Sequence, residues 1–310
     1  MTSLRIAFIL LLIALSCIVH ILPLLLVAVV KAALPFDGVR RAANPLLTGI
    51  AESWIGVNNA MIRAFTDTRI VLEGDLDLRR DGHYLVIANH QSWVDILVLQ
   101  YVFNRRIPVL RFFLKRQLFW VPLLGLAWWA LDFPFMGRYT AREIARNPAL
   151  AGKDIEATRR ACEKFRAFPV AIMNFVEGTR FTPAKRERQQ SPYRHLLKPR
   201  SGGVAFVLDA MGEGLHSILD ISIAYPGGIP TMADLLGNRI GEVRVRVRQR
   251  PLPVDLLRGD YQNDRAFRAR FQQAMNGLWQ QKDADIAELL GDNTTRVDAS
   301  PDGSEPGAPA

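Results

Sequence analysis

The sequence predicts an α/β fold: a mixed β-sheet flanked by helices, carried behind an N-terminal membrane helix. Three observations predict it. From Ile70 to Val247, short runs rich in branched and aromatic residues alternate with helical patterns, as in a sheet layered with helices. Ahead of them, Ile6 to Val30 is apolar except for Ser16, His20 and Pro23. No period repeats along the chain, which sets solenoids and propellers aside.

The N-terminal run of about 25 residues would reach about 37 Å as a helix, longer than a hydrocarbon core of about 30 Å. Residues 1–34 therefore read as a transmembrane or re-entrant membrane segment. A re-entrant hairpin would kink at Pro23. A signal peptide is the competing reading, but its apolar region would be shorter and followed by a small-x-small cleavage site. Arg5 precedes the run, whereas Lys31, Arg40 and Arg41 follow it. That bias places the remainder of the chain in the cytoplasm. Residues 35–66 read as an amphipathic, interfacial segment whose helix runs from Asn44 to Phe65, with Asn44 as its cap and Pro45 at its first position. Leu46, Leu47, Ile50, Trp54, Ile55, Val57, Met61 and Ile62 share one broad side of it. That side suits a lipid interface; packing on the protein's own core is the plain alternative.

Residues 67–290 read as one domain, enough chain for an ordinary buried core. Strands are expected at Ile70–Leu72, Tyr84–Ala88, Val109–Leu114, Phe133–Met136, Val170–Phe175, Ile218–Ala224 and Val243–Val247. Helices are expected at Trp93–Phe103, Ala141–Ala145, Asp154–Phe165, Val204–Met211 and Asp264–Glu288. Residues 291–310, rich in Pro, Gly, Ser and Asp, read as a disordered tail.

A net charge of +9 over 310 residues favours an anionic partner: phospholipid headgroups, a phosphorylated substrate, an acidic carrier protein or nucleic acid. Cys17 and Cys162 have no partner spacing and read as free thiols. The five histidines are scattered and zinc spacing is absent, so no metal site is expected.

Two segments carry chemistry. The buried strand Tyr84–Ala88 runs into Asn89-His90-Gln91-Ser92-Trp93-Val94-Asp95. A histidine at a strand end can act as a general base near neutral pH. A carboxylate beside it fixes its tautomer and stabilises the imidazolium. On an ideal helix, positions five apart differ by about 140° and do not share a face. His90 thus meets Asp95 only from the turn before the helix, and Ser92 stands between them as a cap. Ser92-x-x-Asp95 also fits a capping box, which by itself accounts for Asp95 without catalysis.

The second strand, Val170–Phe175, leads to Glu177-Gly178-Thr179-Arg180. Gly178 allows a tight turn. Arg180 offers a planar fork for phosphate and Thr179 a hydroxyl. Glu177 suits either an orienting role for Arg180 or a contact to a substrate hydroxyl, and a polar turn with a local ion pair is the bland reading. A basic loop of about 20 residues follows, with Lys185, Arg186, Arg188, Arg194, His195, Lys198 and Arg200. Arg105, Arg106, Arg111, Lys115 and Arg116 form a second basic cluster. Both suit anionic lipid or a phosphorylated substrate, or simply a solvated surface.

His90-x4-Asp95 and Glu177-Gly178-Thr179-Arg180, each after an apolar strand and in this order, resemble the glycerolipid acyltransferase superfamily. That superfamily comprises the 1-acylglycerol-3-phosphate acyltransferases and their relatives. The resemblance covers residues 70–230. Lys115 through Arg138 looks like the family's Gly- and aromatic-rich block, and Ile221-Ser222-Ile223-Ala224-Tyr225-Pro226 like its late hydrophobic block. Val176 stands where the family often has Pro. The stretch Phe181–Gly203, with His195-Leu196-Leu197-Lys198-Pro199-Arg200, looks more like the lysocardiolipin-type branch. The resemblance implies a membrane-bound enzyme that moves a fatty acyl chain from acyl-CoA or acyl-ACP to a lysophospholipid hydroxyl, foremost 1-acyl-sn-glycerol-3-phosphate. It implies His90 as base and Asp95 as its orienting group. Glu177, Gly178, Thr179 and Arg180, with Arg138 and Lys115, would contact substrate. No cofactor beyond the acyl carrier is implied, and the compartment would be a bacterial inner membrane with the catalytic domain cytoplasmic.

Other classes fit less well. The chain has no Gly-x-Ser-x-Gly elbow. Gly212-Glu213-Gly214 lacks the third glycine of a dinucleotide fingerprint. Val243-Arg244-Val245-Arg246-Val247-Arg248 puts arginines on one strand face. A solvated or membrane-facing strand accounts for that pattern better than nucleic acid. A lipid-binding or membrane-remodelling protein on the same scaffold, and an acyltransferase for another lysophospholipid, remain alternatives.

Overall fold

The computed structural model describes residues 2–292 apart from 35, 75, 76, 138, 140, 151, 167 and 258. Arg138 and nearly all of the expected tail lie outside the described residues.

Two long helices come first. α1 spans Thr2–Ala33 and α2 spans Asp37–Phe65. They run antiparallel: Phe8 meets Phe65, the His20 ring bonds the Ser53 hydroxyl, and Leu24 and Ala28 pack with Leu47 and Ala51. α1 continues through Pro23 without a break, so the kinked hairpin expected as an alternative is not found. Leu4–Ala33 is long and apolar enough to cross a membrane, with a mean hydropathy of 2.8. Its outer side exposes Leu11, Leu15, Leu22, Leu26 and Val29.

α2 departs from expectation at its start. It begins at Asp37, whose charge complements the helix N-terminus, and holds Pro45 inside rather than at its first turn. The apolar side expected for it divides. Leu47 and Ile55 are buried against protein, while Leu46 and Val57 face outward.

The sheet has six strands: β1 (Arg69–Glu73), β2 (His83–Ala88), β3 (Leu110–Phe112), then β6 (Val170–Phe175), β7 (Ser217–Ala224) and β8 (Glu242–Arg250). β4 (Leu114–Lys115) and β5 (Phe135–Met136) form a separate parallel pair. The order is β1-β8-β7-β2-β6-β3, parallel at every pairing except β7 with β8. It is the mixed sheet flanked by helices that the sequence predicts.

Alternation sorts each strand between two layers. Tyr84, Val86 and Ala88 face α3 (Val94–Phe103). Leu85 and Ile87 face the opposite layer, which contains α6 (Lys153–Phe165), α8 (Gly202–Met211) and α10 (Arg265–Leu290). With both faces covered, β2 reads as a continuous apolar run. α4 (Leu124–Ala130) lies against α1 and joins its apolar cluster. α5 (Ala141–Arg146) precedes α6.

Three short helices had no counterpart in the expectation, α4 being the first of them. α7 (Pro183–Gln189) occupies the start of the expected basic loop. Thr182 caps it, accepting from the Lys185 N–H, and Pro183 takes its first turn. α9 (Met232–Leu236) starts from a Thr231–Asp234 capping box.

The arginine stripe of β8 also differs from expectation. β8 lies between β1 and β7, not at an edge, and α10 covers its arginine face. Arg246 binds Glu73, Asp285 and Glu288, Arg248 binds Asp285, and Arg250 binds Asp220. Arg244 binds Glu242 and the Leu289 carbonyl. These charges are spent inside the protein. The second basic cluster is likewise broken up: Arg111 is buried, donates to the Leu131 carbonyl and stacks over Phe168.

Candidate active site

Three neighbouring parallel strands, β7, β2 and β6, end side by side, and each delivers one group. Carboxyl ends of parallel strands are where α/β sheets build sites. Past β2, Asn89 extends the sheet with side-chain bonds. Its Nδ2 donates to the Ile223 carbonyl and its Oδ1 accepts from the Ile223 N–H, both at 2.9 Å. This leaves His90 in the turn ahead of α3, the placement that the spacing requires.

Asp95 is buried in the first turn of α3, and its two oxygens receive four donors. Oδ2 accepts from His90 Nδ1 at 2.8 Å and from the N–H groups of Gln91 and Ser92 at 2.6 and 2.9 Å. Oδ1 accepts the Tyr225 hydroxyl at 2.5 Å. Half of the expected capping box is formed: Asp95 accepts from the Ser92 N–H while holding the imidazole, but the Asp95 N–H bonds the Ser92 backbone carbonyl and Trp93, not Ser92, stands at the cap. The Ser92 hydroxyl accepts from the Val94 N–H and donates to the Pro230 carbonyl at 2.6 Å. The helix begins at Val94, one residue later than expected.

With Nδ1 carrying the proton towards Asp95, the free lone pair of the neutral ring sits on Nε2. The ring stacks on Phe175 at 3.9 Å between centroids and retains 13% exposure of its side chain. Among the described residues Nε2 has no hydrogen-bond partner.

Glu177 sits differently from either expected role. It is fully buried, with Oε1 accepting from the His90 N–H and Oε2 from the Leu197 N–H, each at 2.8 Å. Burial pushes its carboxyl up to about 8, against the lowering effect of those two donors. It therefore fixes the backbone under His90, and neither of its oxygens bonds Arg180. Phe181 N–H donates to the His90 carbonyl at 2.7 Å, so the segment after β6 grips both sides of that residue.

The rest of the turn faces outward. Gly178 adopts φ +69°, a conformation that favours glycine. Thr179 Oγ1 accepts from Lys185 Nζ at 2.8 Å. Arg180 is exposed and stacks over Trp93 at 4.9 Å. Lys115 is exposed on β4 and bonds neither the dyad nor this turn. Arg138 is outside the described residues.

Several site residues had no assigned role in the sequence reading. Tyr225 was visible only as part of an apolar block. Trp279 and Lys282 on α10 carry no local signal, yet both are fully buried behind the site. Trp279 Nε1 donates to the Leu197 carbonyl at 3.0 Å, and Leu197 in turn donates to Glu177. Lys282 donates to the Ile221 carbonyl at 2.6 Å and pairs with Asp220. Burial holds its ammonium below the usual lysine range. Cys162 is a free buried thiol, pushed up to about 12 by burial. Among the described residues no cluster of His, Cys, Asp and Glu could hold a metal ion.

Known proteins supply three comparisons. The acyltransferase family model matches residues 69–226, just over half of the chain. Lysocardiolipin acyltransferase 1 of Mus musculus is 27% identical over 218 residues, covering 65% of this chain and 55% of that protein. 1-Acyl-sn-glycerol-3-phosphate acyltransferase 3 of Arabidopsis thaliana is 26% identical over 190 residues, covering 56% and 47%. The chain spans about half the length of the curated relatives it matches. Among solved structures, the 1-acyl-sn-glycerophosphate (LPA) acyltransferase PlsC from Thermotoga maritima aligns with a TM-score of 0.54 at 16% identity. That alignment covers 93% of this chain and 98% of the other, and at such identity the likeness is one of fold.

Proposed function

The chain belongs to the acyltransferase family, and on that premise we propose that it moves a fatty acyl group from acyl-CoA or acyl-ACP onto a lysophospholipid hydroxyl. The first acceptor is 1-acyl-sn-glycerol-3-phosphate, the substrate in the names of several relatives, and the product is phosphatidic acid. The observation that carries this reading is the His90–Asp95 pair, bonded at 2.8 Å with Nε2 left free.

His90 Nε2 takes the proton of the acceptor hydroxyl as its oxygen attacks the thioester carbonyl carbon. Asp95 stabilises the imidazolium that forms. The tetrahedral intermediate collapses with cleavage of the C–S bond, and the thiolate leaves with the proton returned from Nε2. An ester and a free thiol result. Arg180, presented on the face of Trp93, binds the acceptor phosphate. α1 anchors the chain in a membrane, for which its length and hydropathy speak, with the sheet domain on the cytoplasmic side of a bacterial inner membrane.

A second acceptor class has its own support in the relative named for lysocardiolipin. The test compares wild type with His90→Ala in membranes of a host that lacks its own lysophosphatidate acyltransferase. Each is supplied with labelled 1-acylglycerol-3-phosphate and either donor. Product that depends on His90 is the expected result. No product from well-expressed wild type with either donor overturns this acceptor. Weight then moves to other lysophospholipids, and after them to a lipid-binding role without catalysis.

A further inference from the structure

Beyond α2, seven large apolar side chains are exposed among the described residues, and four of them fall within ten positions: Trp120, Leu123, Leu126 and Trp129. They belong to one small unit. A 3-10 turn, Arg116–Trp120, leads through Val121, Pro122 and Leu123 into α4. A Cβ at Gly125 would collide with the Phe119 carbonyl oxygen, so only glycine lets α4 close onto that turn. Leu123 adopts φ +63°, a strained conformation for a residue with a side chain. α4 buries Gly125, Ala127 and Ala130, and the two alanines pack with Ile21, Leu24 and Ala28 of α1. Its large residues stay outside: Trp129 is 52% exposed, and Trp120 just ahead of the helix 81%. Small residues inside and large apolar residues outside invert the pattern of a helix that faces water.

Charge on this unit has one sign. From Arg111 to Leu131 there is no Asp or Glu. Lys115 and Arg116 are exposed at its start, and among the described residues neither pairs with a carboxylate. The first acid after it, Asp132, pairs at 3.2 Å with Lys31 in the last turn of α1.

We propose that the Trp120–Trp129 unit is a second membrane contact, a foot that enters the same leaflet as the C-terminal half of α1, with Lys115 and Arg116 at the level of anionic headgroups. This inference rests on α1 lying in a bilayer and does not depend on the acyl-transfer reading. An apolar patch of this kind is costly in water. Here it continues the outer side of α1, so the same lipid covers both. Tryptophan favours the boundary between hydrocarbon and water, and cations beside it attract an anionic leaflet. Phe133, just past α4, stacks with Phe112 at 6.5 Å, Phe112 with Phe175 at 6.0 Å, and Phe175 with His90 at 3.9 Å. A single tether would leave the sheet domain free to swing; a foot joined to the His90 turn fixes how that end meets the lipid.

The test uses the full-length protein, with Cys17→Ser, reconstituted in bilayers of phosphatidylethanolamine and phosphatidylglycerol. Cys162 is fully buried and stays unlabelled. A nitroxide is attached in Trp120→Cys or Leu126→Cys, and in Val254→Cys as an exposed apolar control elsewhere in the chain. Collisions with oxygen, which concentrates in hydrocarbon, are compared with those of a water-soluble nickel chelate. Oxygen is expected to dominate at 120 and 126 and the chelate at 254, with the first two labels shallower in phosphatidylcholine alone. Chelate reaching 120 and 126 as freely as 254 overturns the inference. So does exclusion of both reagents, which assigns the patch to a protein partner such as a second copy. Equal depth in both lipid mixtures overturns the role given to Lys115 and Arg116. A chain that bilayers fail to hold overturns the foot and the α1 anchor together, whereas a held chain with a wet foot overturns the foot alone.

Discussion

Replacing the Asp95 carboxylate by an amide, Asp95→Asn, separates the positioning of His90 from the stabilisation of its charged form. Three donors converge on Oδ2: His90 Nδ1 and the N–H groups of Gln91 and Ser92. An amide at this position must turn its carbonyl oxygen to those donors and its NH2 to Tyr225. The Tyr225 hydroxyl can reverse and accept. The Asp95→Asn variant would thus keep the proton on Nδ1 and leave Nε2 as the base, with geometry unchanged. What disappears is the negative charge beside the imidazolium. Opposite charges about 4 Å apart, at an effective dielectric near 20, attract by about 4 kcal/mol. Turnover is therefore expected to fall about a thousandfold. The fold loses less, about 1–2 kcal/mol, as charge-assisted bonds become neutral ones. The assay is the initial rate of acyl transfer at saturating substrates, with a thermal unfolding midpoint measured on the same preparation. A loss of less than about tenfold would remove the electrostatic role of Asp95. A loss as complete as that of His90→Ala, on an intact fold, would refute the argument that the tautomer is preserved.

Other consequences can be checked alongside. Trp279→Phe keeps the ring but removes the donor to the Leu197 carbonyl. It is expected to cost about 1–3 kcal/mol in denaturant unfolding and to lower kcat more than it raises KM, because Leu197 holds Glu177 and Glu177 holds His90. An unchanged kcat on a destabilised fold would make that chain purely structural. Gly178→Ala forces a side chain into φ +69° and against Arg200, so a loss of about 1–2 kcal/mol and weaker substrate binding are expected together. Unchanged unfolding would contradict the strain. Glu177 has a carboxyl raised to about 8 by burial, so the folded state holds its proton more tightly than the unfolded chain. Its contribution is full below the ordinary carboxylate range and is lost as pH rises through about 8. Wild type should lose stability across that interval relative to Glu177→Gln, and parallel pH profiles would exclude the effect.

Much of the sheet was legible because its strands are buried on both faces and read as apolar runs at β2, β6 and β7. The turn that joins His90 to Asp95 was legible too, since the helical angle between positions five apart leaves only one way for them to meet. What escaped was governed by what covers each face. Alternation in Val243–Arg248 correctly divides valines from arginines, but period alone does not say that α10 brings Asp285 and Glu288 over the arginine side. Glu177 looked like a ligand contact because polar residues at strand ends usually face outward. Its inward turn depends on Leu197, twenty residues on, whose N–H needs an acceptor. Thr182-Pro183 and Thr231-x-x-Asp234 were local signals that went unread amid the surrounding basic and Pro-rich sequence. They needed no tertiary information.

The pairing of β1 with β8 joins Arg69 to Glu242. During synthesis β1 leaves the ribosome straight after the apolar helix pair and then waits for a partner made more than halfway further along the chain. β8 itself cannot be covered until Asp285 and Glu288 have followed it. For that interval an unpaired strand edge lies beside exposed apolar helix, a combination prone to joining other chains. Early delivery of α1 to a lipid bilayer would withdraw that neighbour from water while the sheet is still incomplete. Slow elongation after residue 226, where the family match ends, should accordingly lower the yield of folded protein more than slow elongation anywhere before β1.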